Sequence, residues 1–564
     1  MQRTRLVLAA LAVLVLAAVW WFFARPPGRT LYLDGPILSM DSSNRVVEAL
    51  AVQGDRIVAA GSEAELRAWG QDGARVVDLR GRALLPGFID AHGHFPGAGI
   101  FEVFVDLNSP PLGDVRNLDD IQKKLVATAT QTPRGEWIMG MGYDDTLLAE
   151  RRHPTRVDLD RASVEHPVAI MHISGHLAVA NSLALERLGI DHNTPDPEGG
   201  RIRRDAATGE PDGVLEESLT ETLAEHARPS LLESLKIVRR ASALYLEAGV
   251  TTAQSGYTSQ DLMRGLALLS RLGMIPLRLV LWPSGEAADA MLDGRFEFVS
   301  PDELWLRRGA VKLIADGSIQ GYTGYLSRPY HVPPGDDPGY RGYPRIPRER
   351  LLERVERYHR SGLQVAVHGN GDAAIDDILD AFQAAQRAHP REDTRHVVVH
   401  AQMARQDQLD RMRQLGIIPS FFSLHTYYWG DRHRDIFMGP ARADRMSPAR
   451  SAAERGLRFT IHADTPVVPM EPLRLVWSAV NRRSTSGASM GGDERIGPML
   501  ALRAVTIDAA YQHFEEREKG SLEPGKLADL VILSRSPLDD PERIDRIRVL
   551  ETIVGGRTRY RSER

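Results

Sequence analysis

The feature that most constrains the fold of this chain is an apolar run that ends in two histidines, LLPGFIDAHGH at positions 84–94. Side chains two positions apart leave the same face of a β-strand, so His92 and His94 would point in one direction at a strand end. Gly93 between them allows a ligand or another backbone to come close. Two neutral imidazoles on one face can bind a transition-metal ion, and this interpretation depends on further ligands along the chain.

Length and composition indicate a large globular protein. The 564 residues exceed one ordinary hydrophobic core, which predicts roughly two to four domains unless one of them is a large α/β barrel. With 43% apolar and 26% charged residues, disorder is not the default, and a net charge of −5 gives no reason to expect nucleic acid as a partner. Because cysteine is absent, disulfides, thiolate metal ligands and a cysteine nucleophile are excluded.

Residues 1–28 predict a membrane anchor followed by a short linker. Arg3 and Arg5 precede an uninterrupted apolar run of 18 residues, Leu6 to Phe23, which is at the short end of a membrane span. Aromatic residues at its end suit a membrane interface and fit a signal-peptidase site poorly, although a cleaved signal peptide remains the alternative. We therefore expect a single-pass protein of the cell membrane with its body on the extracytoplasmic (periplasmic) side, or a secreted or periplasmic protein if the run is cleaved.

The remaining chain has β-rich ends and an α/β middle. Strand-like runs with turn signals occupy residues 29–85, and residues 505–564 add a final helix and similar runs, which predicts a small composite β-sandwich domain made from both ends. Residues 86–504 alternate apolar runs, such as Val168–Met171, with helical patterns, such as Asp372–Ala388. This alternation is typical of a parallel sheet and predicts a (β/α)8 TIM-like barrel. Two insertions, 326–347 and 425–440, are predicted to be lids over its mouth, with surface excursions as the alternative.

Several apolar runs of the middle end in a polar residue that can bind metal. Since the active site of a (β/α)8 barrel lies at the carboxyl ends of its strands, one rim would hold His92, His94, Lys312, His368, His400 and Asp464. The intervals agree, because 32 residues separate His368 from His400 and 64 separate His400 from Asp464, about one and two strand–helix units. The alternatives are a helix N-cap for Asp464 and an exposed or salt-bridged side chain for Lys312.

Four histidines, a lysine and an aspartate suit two divalent ions, which we expect to be zinc. His92, His94 and Asp464 would bind the first ion, and His368 and His400 the second. Lys312 could bridge them only as a CO2-derived carbamate, because an ammonium group has no acceptor. Zinc lowers the pKa of bound water to about 7, so a hydroxide would be present at neutral pH. Asp464 could orient it and carry its proton to the leaving group.

Six motifs resemble those of a known family: LPGFIDAHGHF, VKLIADGSIQG, VAVHGNGDAA, VVHAQM, IHADTPV and GSLEPGKLADLVIL. As an ordered set from about Thr30 to Tyr560 they resemble the amidohydrolase superfamily, in particular its amidohydrolase-3, YtcJ-like branch, which includes N-substituted formamide deformylases. The resemblance implies a metal-bearing barrel with a composite β-sandwich, and a lysine like Lys312 as the bridging carbamate. It also implies a catalytic role for His176, in the motif HISGH, as a residue on the substrate side that polarises an oxyanion.

These features predict a metal-dependent amidohydrolase that hydrolyses a non-peptide C–N bond, of the amide or N-substituted formamide type, through a metal-activated hydroxide. The alternatives are a deaminase of a cyclic amidine in the same superfamily and a membrane-tethered, non-catalytic binding protein. Hydrolysis of a phosphotriester or lactone would use the same metal centre. We expect a small-molecule substrate. The sequence leaves open whether the protein is a homodimer.

Other side chains are candidates for the surroundings of the centre. Tyr143, His425 and Arg482 are expected to contact substrate, with a solvated charged turn as the alternative for Arg482. For His462 the sequence leaves two alternatives, a position on the surface and a position that supports a metal ligand. Asp316 is predicted to lie in a loop that shapes the site.

Overall fold

The structure of the protein, a computed structural model, describes residues 28–70 and 73–563. The anchor expected at residues 1–27 lies outside the described residues. Within the described ranges, no helix has both the length and the apolar character needed to cross a membrane.

Strands run through most of the described chain and form five sheets. They are β1 (Arg29–Leu33), β2 (Ile37–Leu38), β3 (Val46–Val47), β4 (Ala49–Gln53), β5 (Arg56–Gly61), β6 (Arg75–Asp78), β7 (Ala83–Pro86), β8 (Phe88–Ile89), β9 (Val105–Asp106), β10 (Ile138–Tyr143), β11 (Val168–His172), β12 (Leu177–Ala180), β13 (Gly200–Arg204), β14 (Pro211–Glu217), β15 (Val250–Thr258), β16 (Arg278–Pro283), β17 (Leu306–Arg308), β18 (Val311–Ile314), β19 (Val365–Gly369), β20 (Val397–His400), β21 (Ile418–Phe421), β22 (Thr460–Ile461), β23 (Leu530–Leu533), β24 (Val549–Val554) and β25 (Arg557–Arg561).

Two of the sheets contain only parallel pairings. One has the order β17-β16-β15-β8 and the other the order β18-β19-β20-β21-β22. A parallel bridge between Ser284 and Lys312 joins the two sheets on one side. On the other side, the backbone N–H of Asp464 donates to the carbonyl oxygen of His92 over 3.2 Å. This succession of parallel strands, most of them separated by helices, is TIM-barrel-like.

Two other sheets carry the ends of the described chain. One has the order β5-β4-β1-β6, and the other, β25-β24-β23-β7-β2-β3, takes three strands from each end. Its middle pairing is antiparallel, with Leu85 opposite Val531. A buried ion pair between Arg278 of β16 and Asp529, the residue before β23, connects this sheet to a parallel one.

The fifth sheet, β13-β14-β12-β11-β10-β9, is inserted between β8 and β15. The run Val168–Met171 lies in its strand β11, which pairs with β10 and β12. The interpretation of this run as a strand of the barrel is therefore wrong. An apolar run indicates that a strand is buried, but it does not identify the strand with which it pairs.

Helices connect most of the parallel strands. In the described ranges they are α1 (Glu63–Gly70), α2 (Leu118–Ala129), α3 (Arg156–Asp160), α4 (Ser182–Leu188), α5 (Ser218–His226), α6 (Leu231–Glu247), α7 (Gln260–Arg271), α8 (Gly285–Leu292), α9 (Arg348–Arg360), α10 (Asp372–Ala388), α11 (Gln406–Leu415), α12 (His425–Tyr428), α13 (Gly430–Arg432), α14 (Pro440–Ala443), α15 (Ala449–Glu454), α16 (Pro472–Asn481), α17 (Pro498–Ala504) and α18 (Ile507–Gln512). Helix α10 has the bounds that its apolar periodicity predicts. It buries Ile375, Ile378, Leu379 and Phe382 on one face.

The two insertions differ in their local structure and contact each other. Residues 326–347 contain neither helix nor strand, whereas 425–440 form short helical turns. Backbone hydrogen bonds join them, since the N–H groups of His331 and Val332 donate to the carbonyl oxygens of Phe437 and Ile436 over 2.8 and 2.9 Å. A buried apolar cluster that includes Leu326 and Phe437 lies between them.

Candidate metal centre

The six residues predicted as ligands lie within parallel strands or shortly after them. His92 and His94 lie just after β8, and Asp464 lies just after β22. The other three are inside strands: Lys312 in β18, His368 in β19 and His400 at the end of β20. Because carboxyl ends of neighbouring parallel strands meet at one edge, the pairing brings these side chains to the same rim.

The carboxylate of Asp464 is at the centre of this group. Its Oδ1 lies 3.3 Å from Nε2 of His92 and 3.2 Å from Nε2 of His94. Its Oδ2 lies 3.9 Å from Nε2 of His400. Nζ of Lys312 donates to Nε2 of His92 over 3.1 Å, and the ring centroids of His368 and His400 are 4.5 Å apart.

The chemistry of this donor set fits a divalent metal. Oδ1 of Asp464 is buried and has no hydrogen-bond partner in the described part of the chain, although two imidazole nitrogens face it. A buried acceptor without a partner is unfavourable, and an ion bound between the oxygen and the nitrogens would remove that penalty. Imidazole nitrogens and a carboxylate oxygen are ligands of zinc and of similar ions.

Burial and charge set the protonation states that metal binding requires. Burial, with the charge of Lys312 as the next cause, holds the pKa of His92 well below its ordinary value. Burial also lowers the pKa of His368 and His400, so these imidazoles are neutral near pH 7. Burial alone would raise the pKa of Asp464, but its close contact with His94 and the nearby charges hold that pKa at about 2. The centre therefore presents neutral nitrogens and an anionic oxygen.

Lys312 is neither exposed nor paired with a single surface carboxylate. Its side chain is 2% exposed, and burial lowers its pKa from 10.5 to about 7, an effect that the charge of Asp464 opposes. A substantial fraction of the amine is therefore neutral at neutral pH.

Asp316 orients His368. The sequence predicted only that Asp316 lies in a loop that shapes the site. Its Oδ1 accepts from Nδ1 of His368 over 3.1 Å, and its Oδ2 accepts from the backbone N–H groups of Gly371 and Tyr325. A carboxylate on one ring nitrogen fixes the orientation of a histidine ring. The other nitrogen of His368, Nε2, lies 3.3 Å from Nδ2 of Asn370. The signal available in the sequence was a carboxylate two residues beyond the end of β18.

His462 supports His400 in a similar way. Its Nε2 lies 3.1 Å from Nδ1 of His400, and its Nδ1 is hydrogen-bonded to the hydroxyl of Ser420 over 2.9 Å. His462 is completely buried, so the structure places it in the interior next to the centre rather than on the surface.

His176 lies beside the centre, held by a residue that the sequence did not indicate. Its ring centroid is 5.0 Å from that of His368, and its Nδ1 donates to Oε2 of Glu217 over 2.8 Å. Glu217 is completely buried at the end of β14, with a φ of 54°, a conformation that is uncommon for a residue other than glycine. Arg345 lies 3.7 Å from the same carboxylate oxygen.

His425 is near the centre, on the segment predicted to be a lid. Its ring is buried against Phe422, with centroids 4.2 Å apart, and lies 6.2 Å from the ring of His400. Its Nδ1 has no hydrogen-bond partner among the described residues. A substrate contact by His425 stays a prediction.

Arg482 contacts backbone groups of neighbouring loops. Its side chain is buried, and its guanidinium donates to the carbonyl oxygens of Met490, Ser447 and Met446 over 2.7, 3.2 and 2.8 Å. The guanidinium therefore holds neighbouring loops together, and a contact with an anionic substrate group stays a prediction. The alternative of a solvated turn is wrong for this side chain.

Tyr143 lies with a different group of side chains. It is completely buried at the end of β10, and its hydroxyl is hydrogen-bonded to Nδ1 of His153 over 3.1 Å. Its ring centroid is 5.2 Å from that of His172 in β11. The structure therefore places Tyr143 beside these two histidines and not among the six ligand candidates.

Comparisons with known proteins identify the family of this chain. The model of the amidohydrolase family matches residues 75–560. The chain is similar to an N-substituted formamide deformylase of Arthrobacter pascens, with 30% identity over 94% of this chain and 98% of that protein. It is similar to YtcJ of Bacillus subtilis (strain 168), with 27% identity over 94% and 99% of the two chains. A crystal structure of a metal-dependent hydrolase from Pyrococcus horikoshii OT3 superposes with a TM-score of 0.72, 25% identity and coverage of 91% and 99%. The chain therefore belongs to the amidohydrolase family and is a metal-dependent hydrolase.

Proposed function

We propose that this protein hydrolyses a C–N bond other than a peptide bond, in an amide or an N-substituted formamide. The observation that carries the proposal is the convergence of four histidines, Lys312 and Asp464 within hydrogen-bonding or ring-contact distance at the ends of parallel strands. The similarity to a formamide deformylase over nearly the whole chain supports the choice of bond.

In this proposal the centre holds two zinc ions. His92, His94 and Asp464 would bind one of them, and His368 and His400 the other. When bound, such ions acidify water and polarise a carbonyl oxygen. Lys312 would bridge them as a carbamate, because the neutral fraction of its amine can add CO2 with release of a proton, and the two oxygens of the product share one negative charge, whereas an ammonium has no acceptor.

Asp464 would act as the proton carrier. Its pKa of about 2 keeps it anionic at neutral pH, so it can accept a proton from the attacking water and pass it to the leaving amine. Its contact with His94 holds the carboxylate in place for both transfers. His176, fixed by Glu217, would donate to the oxygen on which negative charge develops.

Aromatic side chains in the second insertion and just before it favour an apolar N-substituent. Phe422 and Trp429 pack around His425, with Phe422 and His425 only 4.2 Å apart. Rings at this position would contact an apolar group of the substrate and exclude water from it.

We also propose the finer architecture and the location of the protein. The two parallel sheets would close into one (β/α)8 barrel over residues 86–504, and residues 29–85 and 505–564 would form a composite β-sandwich. The apolar run of residues 6–23 would anchor the protein with its body outside the cytoplasmic membrane. Proteolysis of intact spheroplasts tests the location, because complete protection of the body would contradict it.

The experiment for the activity combines metal analysis with a substrate screen. The purified protein is loaded with zinc and offered N-formyl and N-acyl amines with apolar substituents, and cyclic amidines as the alternative class. We expect release of the amine with formate or carboxylate, loss of turnover on chelation and recovery with zinc. Ammonia from amidines without release of amines would favour a deaminase, and full turnover by metal-free protein would contradict the proposal.

A further inference from the structure

We propose that Asp145, His153 and His172 form a second transition-metal site in the inserted sheet, with no ligand shared with the catalytic centre. Strands β10 and β11 are parallel neighbours, with Tyr143 opposite His172. Asp145 follows the end of β10, and His172 ends β11, so their side chains meet at one edge of the sheet. His153 comes from the loop that follows Asp145.

The three side chains converge through particular atoms. Nε2 of His172 lies 3.2 Å from Oδ1 of Asp145, and Nε2 of His153 lies 3.6 Å from Oδ2 of the same carboxylate. Ligand atoms bound to one zinc ion at about 2.0–2.2 Å are about 3–4 Å apart, so both separations fit a shared ion.

The other ring nitrogens already have partners. Nδ1 of His153 is hydrogen-bonded to the hydroxyl of Tyr143 over 3.1 Å, and Nδ1 of His172 to the hydroxyl of Ser174 over 2.9 Å. These contacts fix the orientation of both rings, and Nδ1 of His172 also accepts from the backbone N–H of Ser174 over 3.2 Å. Both rings therefore direct Nε2 toward Asp145.

The shortest contact in the group is between Nε2 of His172 and Oδ1 of Asp145, which are 3.2 Å apart. Although they are close, Nε2 of His172 and Oδ1 of Asp145 are both buried without a hydrogen-bond partner in the described chain. The His172 side chain is 0% exposed, so this nitrogen does not contact bulk solvent. The catalytic centre has the same feature, since Oδ1 of Asp464 is buried, unpartnered and faced by imidazoles. An ion would satisfy both atoms.

The charges of the group agree with a metal. Burial lowers the pKa of His153 to about 3, so its ring is neutral and can donate a lone pair near pH 7. The pKa of Asp145 is also lowered: burial opposes ionisation, but the two histidines outweigh it. Two imidazoles and a carboxylate make a ligand set that zinc accepts with one position open.

Asp144 is close to the group but is not available as a ligand. Its Oδ2 accepts from Arg432 over 2.6 Å and from the indole N–H of Trp429 over 3.2 Å, and its Oδ1 accepts from Thr146. It thereby ties the loop that carries Asp145 to the second insertion.

An ion here would also order the turn that carries His176. Ser174, the partner of Nδ1 of His172, accepts from the backbone N–H of His176 over 3.2 Å. Ser174 therefore connects the proposed site to His176, and the role of the ion would be to hold this turn in place.

The test compares zinc content, which does not depend on knowing the substrate. Full-length protein and the variants Asp145→Asn and His153→Gln are loaded with excess zinc, dialysed and measured by elemental analysis, with circular dichroism to establish that each is folded. We expect each variant to hold one equivalent less per chain than the wild type. The matched control is His192→Gln, an exposed histidine of the same inserted region, which should keep the wild-type content.

A second measurement separates this site from the catalytic centre. A variant with His92→Ala and His368→Ala should still retain one equivalent of zinc, and adding Asp145→Asn to it should remove that equivalent. Equal zinc content in wild type, Asp145→Asn and His153→Gln would overturn the proposal while leaving the catalytic centre untouched. If the wild type binds zinc only at this second site, the proposed function is contradicted and this proposal is not.

Discussion

At the scale of single residues, the centre combines ligand candidates with residues that orient them. Three side chains are each hydrogen-bonded to Nδ1 of a histidine at or beside the centre. The pairs are Asp316 with His368, His462 with His400 and Glu217 with His176. This arrangement fixes tautomer and ring orientation before any substrate is present. Two predictions follow at this scale, one on positioning and one on protonation.

Glu217→Gln should reduce turnover without removing metal. The neutral amide cannot stabilise His176 as the carboxylate does, so we expect kcat to fall about 10–100-fold and the pH profile of kcat to shift, with zinc content unchanged. Steady-state kinetics across pH on the substrate found in the screen, with elemental analysis, measure both. Glu210→Gln, at an exposed position of the same sheet region, is the control. Wild-type kinetics in Glu217→Gln would remove the residue from the mechanism.

The buried amine of Lys312 should make stability depend on pH in metal-free protein. Its pKa is about 7 in the folded chain and 10.5 ordinarily, so between these values the unfolded chain holds a proton that the folded chain has released. Stability should therefore rise with pH in this window, by up to about 1.4 kcal/mol per pH unit relative to Lys312→Met.

The measurement is urea unfolding of both proteins in CO2-free buffer at several pH values across that window. The difference in unfolding free energy between wild type and Lys312→Met should become more favourable to the wild type as pH rises. A constant difference would mean that the amine is charged in the folded chain.

At the scale of elements, the insertions are connected to each other and to the inserted sheet. The short helix α13 contributes Arg432, whose guanidinium contacts Asp144 and Thr146 beyond β10. The ion pair between Arg432 and Asp144 is largely buried, with 14% and 4% of the two side chains exposed. The second insertion is therefore attached to the loop after β10.

Arg432→Met should destabilise the protein because it leaves the carboxylate of Asp144 buried without its cation. Removing one partner of a buried pair costs about 3–5 kcal/mol, whereas an exposed pair contributes about 1 kcal/mol or less. Arg434→Met, which removes an exposed pair with Asp435 on the same segment, is the matched control. Thermal unfolding should show a fall in Tm of several degrees for Arg432→Met only. Equal Tm values for the two variants would contradict the assigned role.

At the scale of the whole molecule, the two ends of the described chain share one sheet. Strand β23 pairs with β7 immediately before β8, and β8 leads into the histidine pair. Asp529 accepts from Arg278 over 2.6 and 3.1 Å, and it also accepts from the backbone N–H of Gly555 over 2.8 Å. Through these contacts the C-terminal strands support the same parallel strands that position the centre.

Asp529→Asn should therefore destabilise the protein, although Asp529 is not part of the candidate site. The amide leaves the guanidinium of Arg278 buried without a counter-charge, which costs about 3 kcal/mol or more. Asp539→Asn, at an exposed position, should have little effect. Urea unfolding measures the difference, and the folded fraction of Asp529→Asn should keep its zinc content. A loss of zinc from folded Asp529→Asn would mean that the pair acts directly on the centre.

Much of the framework could be predicted from local patterns. Strands such as β20, VVVH, are largely apolar because parallel strands are buried on both faces, and the ligand candidates lie within such runs or shortly after them. The periodicity of α10 sets its bounds for the same local reason. The six candidates could be grouped because strand order along the chain determines which side chains reach one rim.

The sequence by itself therefore determined the alternation of strands and helices and the set of residues at the strand ends, since both depend on periodicity and spacing along the chain. Only the tertiary structure decided that β11 pairs outside the two all-parallel sheets and that Glu217 holds His176. It also decided that the guanidinium of Arg482 donates to backbone carbonyl oxygens. These outcomes depend on contacts between residues distant in sequence, and an isolated segment carries no information about the partner that another segment will bring to it.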